Sequence, residues 1–114
     1  MADYYNTHMD AGADFSIDVI LKTDGVVVDI TGATIDAQGR VTRDAAAALW
    51  DVDTTGGGIV ITDAVNGAFT INVTDTVSAG VTSDHYYDVL ITYASGLKER
   101  ILEGFITLRP AVTR

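Results

Sequence analysis

DHYYDVLITYASGLKERILEGFITLRP, residues 84–110, decides how this chain folds. Tyr87, Val89, Ile91 and Tyr93 alternate with Asp88, Leu90, Thr92 and Ala94. That is the period of a strand with one buried face. Ser95-Gly96 supplies residues that tolerate a tight turn. The chain then returns from Leu97 to Leu108. Leu102, Ile106 and Leu108 share a face with Gly104, and Ile101, Glu103 and Phe105 point the other way. A lone hairpin is marginal in water, so other strands must cover this one.

The preceding sequence supplies them. Asp14 to Lys22 alternates through Phe15, Ile17, Val19 and Leu21, and Asp24-Gly25 turns it into a short strand at Val26–Ile30. Thr34 to Arg43 is a third strand, with Ile35, Ala37, Gly39 and Val41 inside. Two small inner residues there imply a bulky neighbour at close approach, and Gly39 is also a place for a bulge. Asp44 to Trp50 reads as a short turn feeding an edge strand, with Asp44 as a helix cap in competition. Ile59–Thr62 and Ala68–Thr74 flank Asn66-Gly67, a hairpin signal. Asp75 to Val81 can close one helical turn, capped by Asp75 and ended by Gly80. About seven short strands joined by turns, without contiguous βαβ units, imply an all-β antiparallel sandwich.

Residues 1–13 lack periodicity and read either as a frayed terminus or as an N-terminal arm laid on a neighbouring subunit. Adjacent Tyr4 and Tyr5 favour the second, because aromatic side chains favour interfaces. The expected organisation is therefore an arm at 1–13 and one sandwich domain at 14–114.

The chain has 114 residues, enough for one core. It has no cysteine, so disulfide and thiolate chemistry are excluded. A net charge of −9 argues against duplex nucleic acid as a partner. The first ten residues lack the basic and apolar regions of a signal peptide, and no apolar run is long enough for a bilayer. A soluble protein without membrane contact is expected.

Motifs that carry chemistry are sparse. Ser83, Asp84 and His85 are neighbours on one strand, where side chains alternate, so they do not converge as a triad; His85 is expected at the surface or a strand end. Asp51-Val52-Asp53-Thr54-Thr55-Gly56 opens like a calcium loop, but the twelfth place is Thr62 instead of a glutamate. Asp51 and Asp53 are thus calcium candidates against the alternative of a solvated loop. Gly56-Gly57-Gly58 lacks the lysine and the helix of a phosphate cradle. Glu99 and Glu103 share a face, yet the chain is too short to build a sugar cleft beside its core. A buried Glu103 would need Arg100 or Arg114 as partner. Tyr87 and Tyr93 are expected in the core, Trp50 as a core plug, and Tyr86 at an interface. Neither a catalytic site nor a cofactor is expected.

Taken in order, several of these pieces resemble the small Ig-like β-sandwich proteins of tailed bacteriophages, similar in plan to the N-terminal domain of the baseplate upper protein family. The pieces are Gly12-Ala13-Asp14-Phe15-Ser16, an Asp-Gly turn, and Val28-Asp29-Ile30-Thr31-Gly32-Ala33. Asn66-Gly67-Ala68-Phe69-Thr70, Tyr87-Asp88-Val89, Leu102-Glu103-Gly104 and the ending Pro110-Ala111-Val112-Thr113-Arg114 follow. The resemblance runs from Gly12 almost to the end. It departs from the pattern at Asp84-His85-Tyr86, where the family often has Gly-x-Tyr. It implies an Ig-like sandwich and a non-enzymatic virion structural protein, made in the host cytoplasm. Such a protein serves as capsid decoration or as a neck, tail or fibre-anchoring adaptor. Its partners would be other virion proteins and copies of itself, with Arg109 and Arg114 as ion-pair donors to a neighbour. A carbohydrate- or receptor-binding module using Trp50, Tyr5 and Tyr86 is the alternative.

Overall fold

Two sheets face each other across one apolar layer in the computed structural model, which describes residues 3–110. Among the described residues there are eleven strands and one helical turn. The strands are β1 (Asp3–Tyr4), β2 (Thr7–Asp10), β3 (Phe15–Ile20), β4 (Lys22–Thr23), β5 (Val26–Val27) and β6 (Thr34–Arg40). They continue with β7 (Trp50–Asp53), β8 (Ile59–Asp63), β9 (Ala68–Val73), β10 (His85–Thr92) and β11 (Lys98–Arg109). The helical turn α1 (Asp75–Ser78) lies between β9 and β10.

The larger sheet runs β1-β11-β10-β6-β7, with β2 also on β11; the smaller runs β3-β9-β8. In immunoglobulin lettering this is G-F-C-C′ opposite B-E-D, the variable-type arrangement, with a first strand added on G. The expected Ig-like sandwich is therefore the fold. Without cysteines the usual inter-sheet disulfide is absent, and Ile17 on β3 and Val89 on β10 lie in a continuous apolar core. The hairpin of β10 and β11 is the centre of the larger sheet. Tyr87, Val89 and Ile91 are buried as the alternation requires.

Three local expectations change. Ile101 is buried as well as Leu102, because Val89 pairs with Leu102 while Leu90 pairs with Arg100. The extra residue is a bulge, which turns both neighbours inward. Val41 lies beyond the end of β6 and is exposed. The cap of α1 is Thr74, not Asp75: its side chain accepts the Val77 amide.

The largest correction concerns the N-terminal segment. Residues 3–10 are not an arm apart from the domain but an edge strand of its own sheet. Asp3–Tyr4 and Thr7–Asp10 both run parallel to β11, and Met9 is fully buried. Between them the chain bends at Tyr5-Asn6. The Tyr5 amide donates to the Glu103 carbonyl, and the Asn6 side-chain oxygen accepts the Phe105 amide. The Tyr5 carbonyl turns inward and accepts the Tyr87 hydroxyl at 2.7 Å. Tyr87 stands near the start of its strand, two residues before a core position, as a tyrosine corner does. Here its acceptor is the far edge strand. Gly104 makes room for this: a Cβ there would collide with the Tyr5 carbonyl. Periodicity could not reveal this segment, since backbone bonds and the single buried side chain of Met9, not an apolar stripe, hold it.

Candidate protein-docking face

The register of β6, β10 and β11 sets the side chains of the larger sheet's outer face in rows. Arg40, Tyr86 and Phe105 form one row. Gln38, Asp88 and Glu103 form the next, extended by Asp51 on β7. Asp36, Leu90 and Arg100 form the third, extended by Asp53, and Thr34, Thr92 and Lys98 the last. The strict alternation of β6 and β10 puts every second residue here, while the intervening ones fill the core.

The first row is built around an aromatic pair. Tyr86 and Phe105 meet edge to face, with centroids 5.0 Å apart. The Arg43 guanidinium lies 5.2 Å above the Tyr86 ring and 3.6 Å from the Glu103 carboxylate. Arg40 is held by neutral oxygens. It donates to the Ala45 carbonyl and to Gln38 Oε1, both at 2.7 Å. Arg100 pairs with Asp88 at 2.9 Å. Gln38, Arg40, Arg43, Tyr86, Asp88 and Arg100 line a cleft of about 330 Å³. Glu103, expected to need Arg100 or Arg114, takes Arg43 instead, because the loop after β6 folds back over the sheet.

The third row contains an electrostatic conflict. Asp36 and Asp53 are directly opposite on adjacent antiparallel strands, where like charges destabilise. Burial, then the charges of Asp53 and Asp51, raise the Asp36 carboxyl above its ordinary range, and Lys98 partly offsets this.

Directly behind the aromatic row, inside the core, lies a polar pair that the sequence reading missed. The Trp50 indole N–H donates to His85 Nε2 at 2.9 Å, and both side chains are buried. Since indole nitrogen only donates, His85 Nε2 is the unprotonated nitrogen, and Nδ1–H donates to the Ser83 carbonyl at 3.0 Å. Burial lowers the His85 pKa, against a smaller raising effect of the Ser83 bond and of Asp84. His85 stands at a strand end, as the first residue of β10, but it is buried in the core and not at the surface. The signal that pointed here was Gly39. Its missing Cβ leaves space that the Trp50 indole and the His85 ring occupy. The bulky neighbour expected beside the small inner residues of β6 is this pair, and β6 shows no bulge at Gly39.

The remaining sequence candidates are dispersed. Tyr4 and Tyr5 are exposed on the far edge of the sheet. Arg109, expected to reach a neighbour, pairs with Asp10 of its own chain at 2.9 Å, its partner in the parallel register. Arg114 lies outside the described residues. Asp51 accepts from Gln38, and Asp53 accepts the Gly56 amide, so the loop is closed as an Asx-type turn. Among the described residues no three His, Asp or Glu side chains converge as metal ligands. Trp50, buried beside His85, is withdrawn from any surface aromatic platform. Among the described residues no helix is long and apolar enough to cross a membrane.

The class these observations define is an Ig-like β-sandwich with a mixed-charge, aromatic-centred outer face. Comparison with solved structures agrees on the fold. A chain of the crystal structure of ICOS in complex with ICOS-L and an anti ICOS-L VNAR domain superposes with a TM-score of 0.53 and 10% sequence identity. The match covers 96% of this chain and 56% of that one. No protein-family model matches the sequence. No curated protein matches it either.

Proposed function

We infer that this chain is a non-enzymatic structural protein of a bacteriophage virion that works by protein–protein docking. Its role would be capsid decoration or the anchoring of neck, tail or fibre parts. The reading rests on two supports. One is the ordered set of sequence pieces from Gly12 onward that resembles the phage Ig-like sandwiches. The other is the outer face of the larger sheet, which carries the docking half of the inference. There a T-shaped aromatic pair and a stacked guanidinium are side-chain types enriched at protein–protein interfaces.

The test is the copy number of the chain in purified phage particles, by quantitative mass spectrometry. Hundreds of copies per particle are expected of a decoration protein, and on the order of a dozen of an adaptor set by cyclic symmetry. Absence from particles overturns the virion reading. Combining Tyr86→Ala with Arg43→Glu is expected to reduce incorporation at least about tenfold, the loss typical of a central aromatic anchor. Unchanged incorporation would move docking to another surface.

A further inference from the structure

We propose that the Trp50–His85 bond is an acid-sensitive latch: uptake of a proton by His85 breaks it, and residues 41–50 lift from the edge of the larger sheet while the rest of the sandwich stays folded.

The bond cannot survive protonation. The indole nitrogen has a hydrogen to give and no lone pair to offer, so the Trp50 N–H at 2.9 Å needs a bare Nε2. A protonated His85 carries hydrogens on both ring nitrogens. The one on Nδ1 already goes to the Ser83 carbonyl at 3.0 Å. The one on Nε2 would point at the indole N–H, donor against donor, where both side chains are buried.

No neighbouring charge compensates the cation in place. His85 is faced by Trp50 from β7, by Gly39 from β6 and by its register partner Ile106 on β11, none of them charged. Asp84, beside it in the chain, favours the cation, but its carboxylate accepts the Leu108 amide at 2.7 Å, and the effect of burial is the larger. Water reaches Nε2 when the indole moves away.

What moves is what is held least. β6 and β10 each have a strand on both sides, whereas β7 has four residues and ends the sheet. Residues 41–49 before it form no strand, and Trp50 is the only buried residue of 41–50. The Leu49 amide donates to the Gly39 carbonyl, the Ala45 carbonyl accepts from Arg40, and the Arg43–Glu103 pair is solvent-exposed. Releasing the indole therefore releases the segment. Beyond β7 the chain stays tied, with the Thr54 amide on the Ile35 carbonyl at 3.0 Å. The segment carries Arg43, so opening takes the guanidinium off the Tyr86 ring and bares the aromatic row of the outer face.

The sign follows from the two forms. In the open form His85 titrates near its ordinary value of about 6.5, and in the closed form lower. Opening is insensitive to pH above that value. Below it, opening increases toward about tenfold per pH unit until the closed-form value is reached.

Hydrogen exchange on the full chain, followed by NMR and corrected for intrinsic exchange rates, tests this. Protection of the Leu49 amide should fall about tenfold between pH 7.5 and pH 5.5. Opening of so short a segment exposes little surface, so urea below about 1 M should leave Leu49 exchange nearly unchanged while it speeds the amides of β9, which need global unfolding. His85→Gln keeps an acceptor for the indole but takes no proton there, and should abolish the pH step. If that variant does not fold, Trp50→Phe should speed Leu49 exchange already at pH 7.5 and shrink the step. Leu49 protection that is flat with pH overturns the proposal. So does a urea dependence equal to that of β9, which would make the event global unfolding, or a pH step that persists in His85→Gln. The latch lies inside the core and stands or falls apart from the virion reading.

Discussion

The two sides of strands β6 and β10 differ by a single step of the chain. Inward from Arg40 and Tyr86 stand Gly39 and Tyr87, and the space over Gly39 is filled by Trp50 and His85. On the inner side every polar atom has one partner at a set distance, and no buried side-chain nitrogen or oxygen is left without one among the described residues. On the outer side charges outnumber fixed partners, and their pairs are solvent-exposed and individually worth little. The inner side specifies a conformation; the outer side holds its charges in weak pairs open to solvent.

Substitutions separate the two sides. Gly39→Val drives a branched side chain into the Trp50 indole and the His85 ring. It should destabilise the fold by about 3 kcal/mol in urea unfolding, or prevent folding. A loss under about 0.5 kcal/mol would mean that the space is not filled as described. Trp50→Phe keeps most of the apolar contact but leaves His85 Nε2 buried without its donor, a cost of about 2 kcal/mol in the same measurement.

The same pair sets a pH dependence. The His85 pKa is lowered in the folded state, so the unfolded chain takes up the proton first. Its contribution to stability is fully present above the unfolded value of about 6.5 and declines as pH falls from there toward the folded value. Unfolding midpoints at about pH 7.5 and pH 5.5 should therefore differ, with the lower pH less stable. A flat profile across that window would show that His85 is not held neutral. On the outer side, Asp36→Asn removes one of two opposed carboxylates. It should raise stability by a few tenths of a kcal/mol. A loss of stability there would place a cation of the same chain on Asp36.

Much of the sandwich was legible because period-two alternation and Gly-containing turns are local. Asp24 and Gly25 both have positive φ, as a tight hairpin turn of this type needs, and the Asp-Gly pair announces it. Tyr86 was legible as a surface aromatic by its parity alone. What escaped was non-local. Nothing near His85 in sequence shows that its partner is Trp50. Residues 3–10 carry no stripe because backbone pairing with β11 holds them and Met9 is a single buried anchor, too little to make a period. Ile101 changed sides through a bulge, which shifts the parity of everything beyond it without a signature of its own.

The sequence by itself determined the class of fold, the acidic character of the chain and the absence of thiol chemistry. These follow from residue types and from alternation along a few consecutive positions. Only the tertiary structure decided the edge occupied by the N-terminal segment, the Trp50–His85 bond and the division of charge on the outer face. Each of these depends on which strand lies beside which, and that pairing is settled by the packing of the whole core rather than by any one stretch of chain.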